Sequence, residues 1–252
     1  MKFEWNARKL FEKLFRFNPD TSLIAVLLSI AFVVASLSAA TYLATPSCGI
    51  AYFLLYAVLG AAVCGFALPV SYTVFIAKCS PASMGITSAR LPLSLALQVL
   101  CALPLLPELA SRLSGISLVA ALPLVALALA IGFFEAVFWR GWVYGRLEAA
   151  FGVVPAMVLG AALYAVYHVG YGMPASEMVF LFFVGLMFNA VFALTGSVFA
   201  LWPLFQPSGQ LLTVIKDGLS LPPMATVGFL EVLAAMIVFV LIMWKRSKTV
   251  RR

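Results

Sequence analysis

Residues 134–168 read FEAVFWRGWVYGRLEAAFGVVPAMVLGAALYAVYH. Apart from Glu135, Arg140, Arg146, Glu148 and His168, every side chain here is apolar, aromatic or glycine. The stretch divides near Gly152 into two runs that each read as a membrane-spanning helix. Arg146 and Glu148 mark the polar end of the first run. Glu135 lies about 11 residues inside the Arg146 boundary, roughly 16 Å of helix. A short acid cannot snorkel that far. Ionisable groups at such depth are costly and usually face a polar cavity or a partner. Residues 134–168 therefore read as the core of an intramembrane site, or of a site derived from one.

The composition of the whole chain agrees. Its 252 residues are 64% hydrophobic and only 10% charged, with a mean hydropathy of +1.10. Soluble domains run nearer a quarter charged. The chain reads as an all-α polytopic membrane protein of about eight transmembrane helices plus an N-terminal interfacial amphipathic helix. Three segments follow: the interfacial helix over 1–20, a membrane-embedded helical domain over 21–244 and a basic tail over 245–252.

Most of the formal charge of +7 sits at the two ends. Lys2, Arg8, Lys9, Lys13 and Arg16 lie at one, Lys245, Arg246, Lys248, Arg251 and Arg252 at the other. This pattern does not point to nucleic acid. Basic flanks stay on the cytoplasmic side and touch anionic lipids, so both termini read as cytoplasmic and the number of spans as even. The expected partners are membrane lipids and a membrane-anchored peptide or protein. Cys48, Cys64, Cys79 and Cys101 have no metal-ligand spacing and read as small packing residues.

The spans are expected at about 21–44, 49–77, 91–106, 116–148, 152–167, 177–194, 197–215 and 226–244. Pro46-Ser47 reads as a turn, Lys78 to Arg90 as a cytoplasm-facing loop and Pro107 to Gly115 as an outer loop carrying Glu108 and Arg112. The turn between the sixth and seventh spans, Thr195-Gly196-Ser197, has no basic residue to orient it.

Glu135 is the candidate general base, held where burial can tune it. Arg140 lies five residues on, about 140° around an ideal α-helix, so the two need not pair. It either snorkels or clamps a carboxylate or carbonyl. His168, the single histidine, is the candidate partner for positioning a water. Zinc finds only Glu135 and His168, short of the three protein ligands a catalytic site wants. Glu231 in the last span has no spacing that ties it to the centre. A proton-coupled transporter using Glu135, His168 and Glu231 would want a repeated half, and none is visible.

At these residues the chain resembles the CPBP family of intramembrane proteases, which includes the CAAX prenyl endopeptidases and the bacteriocin-processing and self-immunity proteins. The family's Glu-Glu-x-x-x-Arg-Gly is similar to Glu135-Ala136-Val137-Phe138-Trp139-Arg140-Gly141, with Ala136 replacing the second Glu. Its Phe-x-x-x-His resembles Tyr164-Ala165-Val166-Tyr167-His168. Phe183-Val184-Gly185-Leu186, Thr195-Gly196-Ser197 and Met84-Gly85-Ile86 also look like family cues. The third motif, His-x-x-x-Asn, falls on Phe205 and Gly209; one residue later, Gln206 and Gln210 keep the spacing. The resemblance implies an intramembrane endopeptidase acting on a membrane-associated, possibly prenylated, substrate. Glu135 and His168 would activate water, with Arg140, Gln206 and Gln210 in support. The missing third motif leaves a second expectation open, a retired family member serving as a membrane binding or scaffold protein.

Overall fold

Long apolar runs with no water to satisfy their backbone fold as helices, because only a helix closes every peptide hydrogen bond within its own segment. The computed structural model describes residues 7–43 and 49–250. Residues 1–6 of the interfacial segment, the Pro46-Ser47 turn, Cys48, Arg251 and Arg252 lie outside the described residues. Helix α1 (Ala7–Leu14) is followed by seven helices long and apolar enough to cross a bilayer. These are α2 (Ser22–Leu43), α3 (Gly49–Ile76), α4 (Leu91–Leu113), α5 (Leu118–Phe151), α6 (Val153–Tyr171), α7 (Ala175–Thr195) and α9 (Ala225–Val250). Between the last two lies α8 (Phe205–Lys216), of 12 residues.

The protein is an all-α, multi-pass membrane protein with seven membrane-length helices among the described residues rather than the expected eight, and the expected seventh span is not one continuous helix. At about 1.5 Å per residue α8 reaches only ~18 Å. It is preceded by a 3₁₀ turn at Val198–Ala200 and a non-helical step over 201–204. The expected continuous span over 197–215 is thus broken. Irregular backbone at membrane depth is tolerated only where protein satisfies it. Here Gln98 of α4, itself buried, donates to the Phe199 carbonyl at 3.1 Å and accepts from the Leu204 N–H. Trp202 donates its indole N–H to the Leu129 carbonyl at 2.9 Å.

The expected outer loop over 107–115 is largely helical as well. Leu106–Leu113 forms the last turns of α4, and Glu108 pairs with Arg112 one turn on at 2.7 Å. At the other end of the chain, Lys245 to Lys248 continue α9 as a helical extension.

Contacts set the two ends of the bundle. Arg16 and Asn18 donate their N–H groups to the carbonyls of Phe151 and Ala150, which places the start of α2 at the end of α5. Helix α9 packs on the last turns of α3 and on the 81–84 turn, and its Val240 and Trp244 share a groove with Ile86 and Ser88. The chain therefore enters at the face that carries the 77–90 loop, and α9 leaves at that face. Asp20 caps α2 there, accepting from the Ser22 N–H at 2.8 Å, and these Ser22 bonds hold its carboxyl below the usual range.

The core is densest around α5. Gly141 lies so close to the Met84 carbonyl that an added Cβ would stand 2.2 Å from its oxygen. Gly65 makes room in the same way for the ring of Phe134. Trp142 reaches α2 with an indole bond to Ser29 at 3.0 Å.

Candidate active site

Glu135 ends the α-helical part of α5, and Ala136–Tyr144 continues as π-helix. The Gly145 N–H accordingly bonds to the Arg140 carbonyl five residues back. In such a turn, residues five apart take the stacked relation that residues four apart have in an α-helix. The α-helical estimate that put Arg140 about 140° away from Glu135 is therefore corrected. Arg140 turns toward the same side of the bundle and lies within electrostatic reach of the carboxylate.

The acid itself is only 5% exposed. Tyr167 donates its hydroxyl to one carboxylate oxygen, and Gln206 donates its side-chain N–H to the other at 2.6 Å. Three elements thus meet on one carboxylate: α5, the end of α6 and the start of α8. Gly132 makes the third approach possible, because a Cβ there would stand 2.9 Å from the Pro207 ring, next in sequence to Gln206.

His168 is 8% exposed. Helix α6 tightens to 3₁₀ over Tyr167–Tyr171, which swings Tyr167 and His168 round together before Gly172 ends the helix in the left-handed region, φ 71°. The imidazole Nδ1 lies 2.9 Å from the Tyr164 carbonyl. A carbonyl only accepts, so Nδ1 carries the proton and Nε2 is left with a lone pair. The imidazole packs on the Tyr167 ring with centroids 4.1 Å apart. Glu135 and His168 are thus two sides of one phenol, with no direct hydrogen bond between them.

Arg140 does not snorkel. Its relative exposure is 0%, and its guanidinium lies over the rings of Tyr164 at 4.3 Å and Phe188 at 4.8 Å. None of its three guanidinium nitrogens has a hydrogen-bond partner among the described residues.

Of the two glutamines, Gln206 joins Glu135 and Gln210 does not; Gln210 lies one turn on, its side-chain oxygen buried and unpartnered. Phe205, at the expected third-motif histidine, is an apolar packing residue set edge-on against Phe188 at 5.2 Å. Glu231 is exposed on the outside of α9, away from this cluster.

A zinc ion does not fit this donor set. No three His, Cys, Asp or Glu side chains come together among the described residues. Both oxygens of Glu135 already accept from donors, and Nδ1 of His168 is committed to a carbonyl.

Tyr167, bonded to Glu135, and Gln98, bonded across the break, are the contacts that the residue types alone did not single out. Tyr167 was visible as a hydroxyl one position before the histidine. Gln98 was visible as a lone amide in an apolar span.

Residues 117–205 match the family described as type II CAAX prenyl endopeptidase Rce1-like. The matched stretch starts at Ser117, the N-cap of α5, and contains Glu135, Arg140, Tyr167 and His168. It ends at Phe205, one residue before Gln206. This agrees with the resemblance carried by the sequence motifs. No curated protein and no solved structure matches the chain.

Proposed function

We propose that this chain, Rce1-like over residues 117–205, is a CAAX-type intramembrane endopeptidase that hydrolyses a peptide bond of a prenylated, membrane-associated substrate. The observation that carries the reading is a carboxylate at bilayer depth, oriented at both oxygens by donors from two other helices. A carboxylate has about four lone-pair sites, so two bonds leave room for a water on the same group. Glu135 takes a proton from that water as its oxygen attacks the scissile carbonyl carbon. The proton then passes to the amide nitrogen as the C–N bond breaks. Nε2 of His168, free to accept, orients the water's other hydrogen. Tyr167 and Gln206 are positioning residues that fix the carboxylate plane.

An apolar groove of about 350 Å³ supports a substrate carrying a hydrocarbon chain. Phe133, Phe199, Trp202, Val240 and Trp244 are among its walls, and Phe133 lies two residues before Glu135. The face that carries Arg146, Lys78 and both ends of the described chain is cytoplasmic in this reading, by the bias of basic residues.

The test is cleavage of a farnesylated peptide by the purified full chain and by its Glu135→Gln variant. A large loss in the variant supports the proposal, and equal rates defeat it.

A second reading follows from Phe205 and Gly209, which stand where the family has His and Asn. In it the chain is a retired relative that binds membrane-anchored peptides without cutting them. That reading expects peptide binding to survive Glu135→Ala, and no cleavage by the wild type.

A further inference from the structure

The least compensated group in the fold is Arg140. An arginine cannot lose its proton in a protein, so burial leaves a full charge and five N–H donors to be met. The rings of Tyr164 and Phe188, set edge-on to each other at 6.2 Å, pack against the guanidinium at 4.3 Å and 4.8 Å from adjacent directions, and its three nitrogens have no hydrogen-bond partner among the described residues. Glu135 is within electrostatic reach, but its hydrogen bonds go to Tyr167 and Gln206. The position one turn before Arg140 is Ala136, which is also fully buried and offers no acid. A cation left unpaired inside a protein costs several kcal/mol or more, and the planar fork of arginine matches a carboxylate with two parallel bonds.

We propose that Arg140 is the receptor for a carboxylate brought by the ligand, and that this carboxylate is the free C-terminus of the substrate peptide. The inference rests on the peptide-hydrolysis reading for the identity of the ligand, not for the existence of the site. Complete burial favours a peptide end over a phosphate headgroup: Arg140 lies six residues, or roughly 9 Å of helix, inside the Arg146 boundary and is 0% exposed. The approach is through the broken span. Phe188, which packs against the guanidinium, leans on Phe205 at the first turn of α8. The preceding residues 201–204 form turns rather than helix and are held by the Gln98 and Trp202 bonds. The carboxylate docks on the guanidinium edge with the scissile bond toward Glu135, which fixes how far from the C-terminus the chain is cut.

The experiment compares two probes on the purified full chain: a fluorescent farnesylated peptide with a free C-terminal carboxylate, and the same peptide as its C-terminal amide. Binding is read by anisotropy, independently of cleavage. Removing one partner of a buried charge pair weakens binding strongly, so the acid should bind the wild type at least about ten-fold more tightly than the amide. Arg140→Gln should bring the two peptides within two-fold of each other. Ala136→Glu, which supplies an internal carboxylate one turn away, should do the same while leaving the arginine in place.

Equal binding of acid and amide by the wild type overturns the proposal, whether or not the protein cleaves anything. Displacement of the acid peptide by oleate but not by the unprenylated peptide acid assigns the site to a lipid carboxylate and overturns the peptide assignment. If Arg140→Gln does not yield folded protein, the wild type and Ala136→Glu decide the matter. If cleavage is absent but the acid is still preferred, the hydrolysis reading fails and the carboxylate site stands.

Discussion

Replacing Gln98 with leucine should disable the protein without touching the carboxylate. Gln98 is buried in α4 and bridges the break in the expected span, with its amide N–H on the Phe199 carbonyl and its oxygen on the Leu204 N–H. Leucine is close in size, so the change leaves little void; what it removes is one donor and one acceptor. Each backbone group left without a partner costs about 1–3 kcal/mol, so the pair costs roughly 2–6 kcal/mol. For a chain of this size each kcal/mol lowers the unfolding midpoint by about 2–4 °C, which gives a fall of roughly 5–20 °C. The assay is thermal unfolding of detergent-purified protein followed by size-exclusion. Leu100→Ala, at a lipid-facing position of the same helix, serves as the control and should shift little. The same variant should also lose cleavage, because the break sets where Gln206 meets Glu135. A Gln98→Leu protein as stable as the Leu100→Ala control would refute the view that this amide holds the broken span.

Three further outcomes follow from the same structure. Tyr167→Phe removes one charge-assisted bond to Glu135, worth about 1.5–3 kcal/mol, so kcat/KM on a farnesylated peptide should fall about 10- to 100-fold while the protein still folds. Gly141→Ala would place a Cβ 2.2 Å from the Met84 carbonyl oxygen; a backbone atom cannot move aside, so the yield of folded protein should drop sharply in expression and size-exclusion trials. Asp20 has its carboxyl held below the ordinary value by its Ser22 bonds. Its cap therefore stabilises fully at neutral pH and is lost as pH falls through that lowered value. The melting difference between wild type and Asp20→Ala should be present at pH 7 and shrink below about pH 4.

How much of this was legible in the sequence depends on which residues are asked. The long apolar runs carry the seven membrane-length helices. No local pattern says that Gln98, about a hundred residues before Phe199 and Leu204, would bridge the break. The Glu135–Gln206 meeting was legible only as a spacing of polar residues one register off the family pattern. The side-chain directions of Tyr167 and Arg140 were not legible for one reason: an α-helical wheel assumes 3.6 residues per turn. The chain uses a π-helical stretch after Glu135 and a 3₁₀ turn at Tyr167, and each rotates its side chains away from where that wheel puts them. Such departures come from packing between helices, here the close approaches at Gly132 and Gly141, which one segment's pattern does not contain.

The most direct trial of the central claim is the rate at which the purified chain cuts a farnesylated peptide with Glu135 intact and with Glu135→Gln. Glutamine keeps the size of the side chain but cannot take a proton from water. General-base catalysis contributes about 10²–10⁴-fold, so the variant should lose at least a hundred-fold in kcat while binding the peptide with unchanged affinity. Indistinguishable rates from the two proteins would contradict the assignment of Glu135 as the base.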